Sequence, residues 1–173
     1  MNFEGIDCTN ITDMSSMFSG NNELVTIDLS NITNTLNINN ISYIFSANGN
    51  METISNVFPL VGNNINCASA FRNCYKLKNL DLSNWNLTLT YSTSSQMFYM
   101  TRKLAILDVS NITFPSSFGL TFSECGSQCL QSDGAYADGI PYIYVKDTTE
   151  QAKVIATNSS IWSTDNVIIK SNQ

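Results

Sequence analysis

The sequence predicts an α/β fold, a solenoid of about five rungs with a parallel strand ladder and a C-terminal strand-helix-strand cap. Three observations predict it: a recurrence of about 26 residues, a strand-type alternation inside each copy, and a composition short of charge. A unit that cannot bury its own apolar face must stack on a neighbour of the same kind.

The recurrence is read from the phenylalanines. Counting forward from Phe18, Phe71 and Phe98, position +6 holds Leu24, Leu77 and Leu104, and +9 holds Ile27, Leu80 and Leu107. Position +11 holds Leu29, Leu82 and Val109, and +14 holds Ile32, Trp85 and Ile112. Between +9 and +14 the words are IDLSNI, LDLSNW and LDVSNI. Phe45 starts a further copy, the second along the chain, with Met51 and Ile54 in phase, but its SNVFPL stretch departs from the pattern, so regular curvature is not expected there. The opening MNFEGI sets Met1, Phe3 and Ile6 in the phase of Ile27, Leu29 and Ile32. A chain that opens in mid-repeat is expected to belong to a larger polypeptide or assembly.

Each copy then divides into elements. TDMSSMF (12–18) and STSSQMF (92–98) place polar starters before an apolar pair, which suits a turn or two of helix. Met14, Met17 and Met97 are expected to fill the core there. The LxxIDLS word alternates apolar with polar, as a half-buried strand does. Beyond residue 115 the repeat fades, and 116–140, with Cys125, Cys129 and four of the eight glycines, reads as an irregular rung or loop. In the cap, 141–173, PYIYVKD and NVIIK read as strands and DTTEQAKVIATN as a helix, with Asp147 and Glu150 at capping-box spacing.

Composition narrows the function. Asn, Ser and Thr supply 61 of 173 residues, while charged residues are 13% against about 25% in an average domain. No histidine is present, which removes the usual neutral-pH base and the commonest metal nitrogen, and with them triads of the usual kind and His-bearing zinc sites. The net charge of −6, with eight cations scattered along the chain, argues against nucleic acid. No apolar run reaches the length of a membrane span.

Candidate binding residues lie on the outward side of the ladder: Asp28 with Ser30, Asp81 with Ser83, and Asp108 with Ser110, with Ser55 and Val57 at the same phase in the copy begun by Phe45. Stacked carboxylates there could attract a cation or hydrogen-bond sugar hydroxyls. The competing reading is local bonding to turn backbone or plain solvation. Tyr91 and Tyr99 are candidate sugar-stacking rings, whereas Trp85, in the phase of Ile32, belongs to the core. Asn31, Asn84 and Asn111 recur at one phase and are assigned to turn backbone. Cys67 with Cys74, and Cys125 with Cys129, read as small buried thiols, with disulfides as the alternative and Cys8 left over. Neither a cofactor nor a metal is expected.

The units TDMSSMFSGNNELVTIDLSNI, CASAFRNCYKLKNLDLSNW and SSQMFYMTRKLAILDVSNI resemble the repeats of BspA-like leucine-rich-repeat proteins of bacterial surfaces and some phage structural proteins, over about residues 1–115. The resemblance implies a right-handed solenoid and a non-enzymatic role in adhesion or recognition. Its partner would be a host-surface protein or glycan, and its location extracellular, on a cell surface or on a virion. A structural spacer or decoration domain is the alternative from another class. A polysaccharide-acting enzyme is remote, because identically repeated aspartates do not offer the two distinct environments an acid and a base need.

Overall fold

The computed structural model describes residues 5–117, 119–128 and 141–170. It is an α/β fold of mostly parallel sheet with few helices. The sheet elements are β1 (Ile6–Asp7), β2 (Thr26–Asp28), β3 (Ile32–Thr33), β4 (Thr53–Ser55), β5 (Leu60–Asn63), β6 (Asn79–Asp81), β7 (Trp85–Thr88), β8 (Ile106–Asp108), β9 (Ile112–Thr113), β10 (Tyr142–Val145) and β11 (Val167–Ile169). Six of them form one parallel sheet in the order β11-β10-β8-β6-β4-β2, and all named pairings are parallel.

The alternation within each short strand sets the sheet's two faces. Ile27, Ile54, Leu80, Leu107 and Ile143 point inward and are buried, while their neighbours form outward rows. Thr26, Thr53, Asn79, Ile106 and Tyr142 make one row in register. The second sheet is divided: β1 pairs only β3, and β5, β7 and β9 pair with one another. The division falls at the SNVFPL copy. Leu60, fifteen residues after Phe45, pairs with Trp85, fourteen after Phe71, so this copy carries one extra residue before its second strand.

The segments around the phenylalanines are not helices. Every second amide there donates to the next copy: Met14, Ser16, Phe18 and Gly20 to the carbonyls of Asn40, Ser42, Ile44 and Ser46, and Cys67, Ser69, Phe71 and Asn73 to those of Thr93, Ser95, Met97 and Tyr99. The intervening amides turn back three residues, as Met17 does to Met14 and Ser19 to Ser16. That alternation requires a left-handed residue two places before each ring: Ser16, Tyr43, Ser69 and Gln96 have φ between 56° and 59°. A left-handed residue stops the bonding pattern of a helix, so only Tyr91–Ser94 (α1) forms a single turn, capped by Thr90. Of the methionines expected in the core, Met14 and Met97 are buried, but Met17, at the same phase as Met97, is 45% exposed.

The rings themselves form a column through the core. Phe18, Phe45, Phe71 and Phe98 stack at centroid spacings of 5.3, 5.6 and 5.7 Å, and Phe122 continues the column 5.3 Å from Phe98. Phe122 therefore occupies the repeat position within a stretch whose sequence looked irregular. The amides of Phe98 and Met100 donate to the carbonyls of Thr121 and Ser123, which extends the pattern one copy further.

At the far edge the helix α2 (Thr148–Thr157) packs beside β11 and buries Val154. Asp147 caps its first turn by accepting from the Glu150 amide at 2.9 Å. The Glu150 side chain does not complete a capping box. It is buried and instead accepts from the Phe114 amide and from Lys153, tying the helix to the preceding copy.

Candidate cleft between the second and third repeat copies

The extra residue in the second copy has a local consequence on the outward face. β4 and β6 share only the Thr53–Asn79 register pair, and after it they part. Between them opens a cleft of about 300 Å³ lined by Ile54, Ser55, Asn56, Val57, Asp81, Ser83 and Asn84. A second cleft of about 340 Å³, which includes Leu29, Ser30, Ile32, Phe58 and Pro59, shares the wall formed by Asn56, Val57 and Asn84.

That wall is fixed by hydrogen bonds. Asn56 has φ 52°, a conformation asparagine tolerates better than other non-glycine residues, and its amide donates to Asp28 Oδ1 at 2.9 Å. Asn84 donates to the Val57 carbonyl at 2.5 Å. The indole of Trp85 donates to the Phe58 carbonyl at 2.9 Å from beneath. Every backbone strap of the cleft is thus held from a neighbouring copy.

The repeated Asp-x-Ser word forms a turn. Asp28, Asp81 and Asp108 each accept from the amide two residues on, at 2.9, 2.9 and 3.0 Å, from Ser30, Ser83 and Ser110. Asp7 and Asp13 do the same with Thr9 and Ser15. Local bonding to turn backbone is therefore present at all three candidate pairs. The Asn56 amide and the Ser30 hydrogen bonds hold the Asp28 carboxyl below its ordinary range. For Asp81, burial pushes the carboxyl up, but the Ser83 bonds and the Lys170 charge outweigh it and the net direction is down. Both are carboxylates at neutral pH.

The candidates separate once placed. Asp81 and Ser83 line the first cleft and Ser30 the second, with Asp28 holding their common wall. Asp108 and Ser110 are buried, and Lys170, from the end of the six-stranded sheet, pairs with the Asp108 carboxylate. That ion pair also relieves the apposition of Asp81 and Asp108, which are register partners. Tyr91 is exposed and lies against Gly119, where an added Cβ would meet its hydroxyl at 2.8 Å. Tyr99 is covered on one side by the Arg72 guanidinium, 5.7 Å from the ring centroid. Neither ring lines either of these two clefts. Asn84 and Asn111 donate to the Val57 and Ser83 carbonyls of the preceding copy, and Asn31 also has an interaction partner.

Ser55 stands at the phase of Asp28 and Asp81 and was expected on the outward face, whereas Asn56 was not singled out by sequence reasoning. Its signal is the break itself: where IDLSNI and LDLSNW keep a buried leucine at +11, the second copy places exposed Asn56. Tyr142, Tyr144 and Ile106 were also missed: Ile106 and Tyr142 lie in the row beside the aspartates, and Tyr144, the register partner of Asp108, stands in the cap, where the repeat word is absent. They form an aromatic and aliphatic end to the same outward face.

Cys8, Cys67, Cys74 and Cys125 are free thiols and buried. Burial pushes the Cys74 thiol up to about 12 and raises Cys67 as well. Cys129 lies outside the described residues, as do Met1 and Phe3. Among the described residues no group of three or more His, Cys, Asp or Glu side chains converges on one point, and no helix is long and apolar enough to cross a membrane.

A family described as "Mycoplasma protein of unknown function, DUF285" has a model that matches residues 1–112. Neither a curated protein nor a solved structure matches the chain.

Proposed function

The chain belongs to the DUF285 family, and from that premise we propose that it is a non-enzymatic recognition module of a cell-surface or virion protein. In this reading the parallel copies make a leucine-rich-repeat solenoid of the BspA-like kind, and the ligand is a host-surface glycan or protein met outside the cell. The observation that carries it is the cleft where β4 and β6 part, a concave opening with Ser55, Asn56, Asp81, Ser83 and Asn84 converging on a space of sugar-unit size. Five polar side chains in one cleft offer paired donors and acceptors of the kind that fix a hydroxyl-rich ligand in orientation. Tyr142, Tyr144 and Ile106 on the same face provide apolar surface beside it.

A spacer role, with contacts only to a larger assembly, is favoured by one observation of its own: the Asp-x-Ser carboxylates are bonded to turn backbone in every copy that carries them. The two readings diverge in one experiment. A panel of neutral glycans and matrix proteins is screened with the intact chain, and any hit is repeated with Ser55→Trp, which fills the cleft, and with Tyr144→Ser. Binding that falls at least tenfold in Ser55→Trp, with the unfolding midpoint retained, supports recognition through the cleft. A flat response from the intact chain supports the spacer.

A further inference from the structure

The cations that are scattered in sequence are gathered in space. Arg72, Lys76 and Lys78 of the third copy and Arg102 and Lys103 of the fourth occupy the edge between the phenylalanine column and the six-stranded sheet, and they are five of the chain's eight Lys and Arg residues. Lys76 and Lys103 each stand five residues after their ring, so neighbouring backbones about 4.8 Å apart carry like charges at the same position. Both are exposed, and neither makes an ion pair among the described residues.

The counter-charges on this edge are few and already engaged. Glu52 pairs with Lys78 at 2.8 Å, and Lys76 and Lys103 bear on the same carboxylate. Glu124 pairs with Arg102 at 2.8 Å. The Arg102 guanidinium is held over the Tyr75 ring at 5.6 Å, and Tyr75 in turn rests against Gly49, where an added Cβ would lie 3.2 Å from the ring. Arg72 is fixed over Tyr99, and its buried Nε has no hydrogen-bond partner. Two rigidly placed guanidiniums and three ammoniums thus face Glu52 and Glu124, with Glu23 at the same phase two copies before Lys76, in a chain whose overall charge is −6.

We propose that this edge binds a single extended polyanionic glycan, one carrying sulfate or carboxylate groups, across Lys76, Lys103 and Arg102. A strip two copies wide, about 10 Å, fits one polysaccharide strand. A nucleic-acid duplex or a bilayer would have to lie over a wider footprint and meet Asp28 and Asp81 on the adjoining face. The edge is separate from the cleft between β4 and β6, so this proposal stands or falls apart from the recognition role assigned to the cleft.

The test titrates the intact chain with dextran sulfate and with neutral dextran, over a range of salt. The proposal expects binding to dextran sulfate alone, weakening as salt rises. It expects Lys76→Ser combined with Lys103→Ser to lose at least tenfold in affinity at an unchanged unfolding midpoint, and Lys146→Ser, away from this edge, to lose less than twofold. Absence of binding to dextran sulfate overturns it, as does equal loss in the Lys146→Ser control. Tighter binding to phosphatidylserine vesicles or to a DNA duplex than to dextran sulfate overturns the glycan assignment.

Discussion

The side-chain amide of Asn48 donates to the carbonyl of Phe18 at 2.7 Å, joining two copies of the repeat through a residue with no accessible surface. The same nitrogen donates to the Phe45 carbonyl at 2.9 Å, so one amide group satisfies two buried acceptors. In the next copies Cys74 reaches the Phe45 carbonyl and Thr101 that of Phe98. The position three residues after a ring therefore caps a ring carbonyl: that of its own copy for Thr101, that of the preceding copy for Cys74, and both for Asn48. Asn48→Ala is expected to cost about 2–3 kcal/mol, since a buried unsatisfied acceptor costs about 1–3 kcal/mol. Asn48→Thr should recover part of the loss. The urea midpoint of each variant measures both.

The column of rings sets a second expectation. Phe71 is stacked on both faces, whereas Phe18 has a described ring on one side only and is 8% exposed. Phe71→Ala should destabilise by about 3–5 kcal/mol, the usual cost of emptying a large core site, and Phe18→Ala by clearly less. Denaturant unfolding of the pair distinguishes a shared column from independent packing, which would make the two costs equal.

The cap depends on Lys170 and Asp108. The carboxylate is buried and the ammonium about half exposed, at 9% and 49% of their side chains, so solvent screening discounts the pair. Lys170→Met is expected to cost about 1–2 kcal/mol, mostly by leaving a buried carboxylate uncompensated. Adding Asp108→Asn should return part of that stability. A double-mutant cycle read by thermal unfolding checks the coupling.

Stability should be nearly flat near neutral pH, because no histidine is present to titrate there. On the acid side, hydrogen bonds from the Thr9 hydroxyl, the Asn34 amide and the Thr9 backbone hold Asp7 at about 2, and Asp13 is lowered by its Ser15 and Asn40 bonds. A carboxyl lowered in the folded state stabilises above its unfolded pKa, near 4, and loses that contribution as pH falls through the folded value. On the alkaline side the thiols of Cys67 and Cys74, raised by burial, ionise more readily once unfolded. Melting temperature is thus expected to decline from about pH 4 towards 2 and again above about pH 9. A single transition confined to pH 6–7 would contradict this account.

Much of the fold was legible because burial repeats with the sequence. Ile27, Leu80 and Leu107 share a phase, and they share a sheet face. What was not legible lies in the backbone. Ser16, Tyr43, Ser69 and Gln96 include no glycine, asparagine or aspartate, the residues that favour the left-handed conformation, yet all four adopt it, so no residue preference announced it and a helix was expected instead. Phe122 was missed for a similar reason. Its copy is shortened to 24 residues after Phe98, although FSEC repeats the ring-to-cysteine spacing of FRNC. The cleft was hinted at only as the place where SNVFPL breaks the pattern, and the lysine and arginine edge was overlooked because the cations were read as scattered along the chain, although the repeat sets Lys76 and Lys103 at one phase.

The order β2-β4-β6-β8-β10-β11 follows the chain, so the first and last strands lie at opposite borders of the six-stranded sheet. A pull applied through the two ends therefore loads the hydrogen bonds between copies in tension, one seam after another, instead of shearing them all together. The chain should pay out in short lengths at modest force. A tether that gives way by single repeats lets an attached particle stay attached while it is dragged.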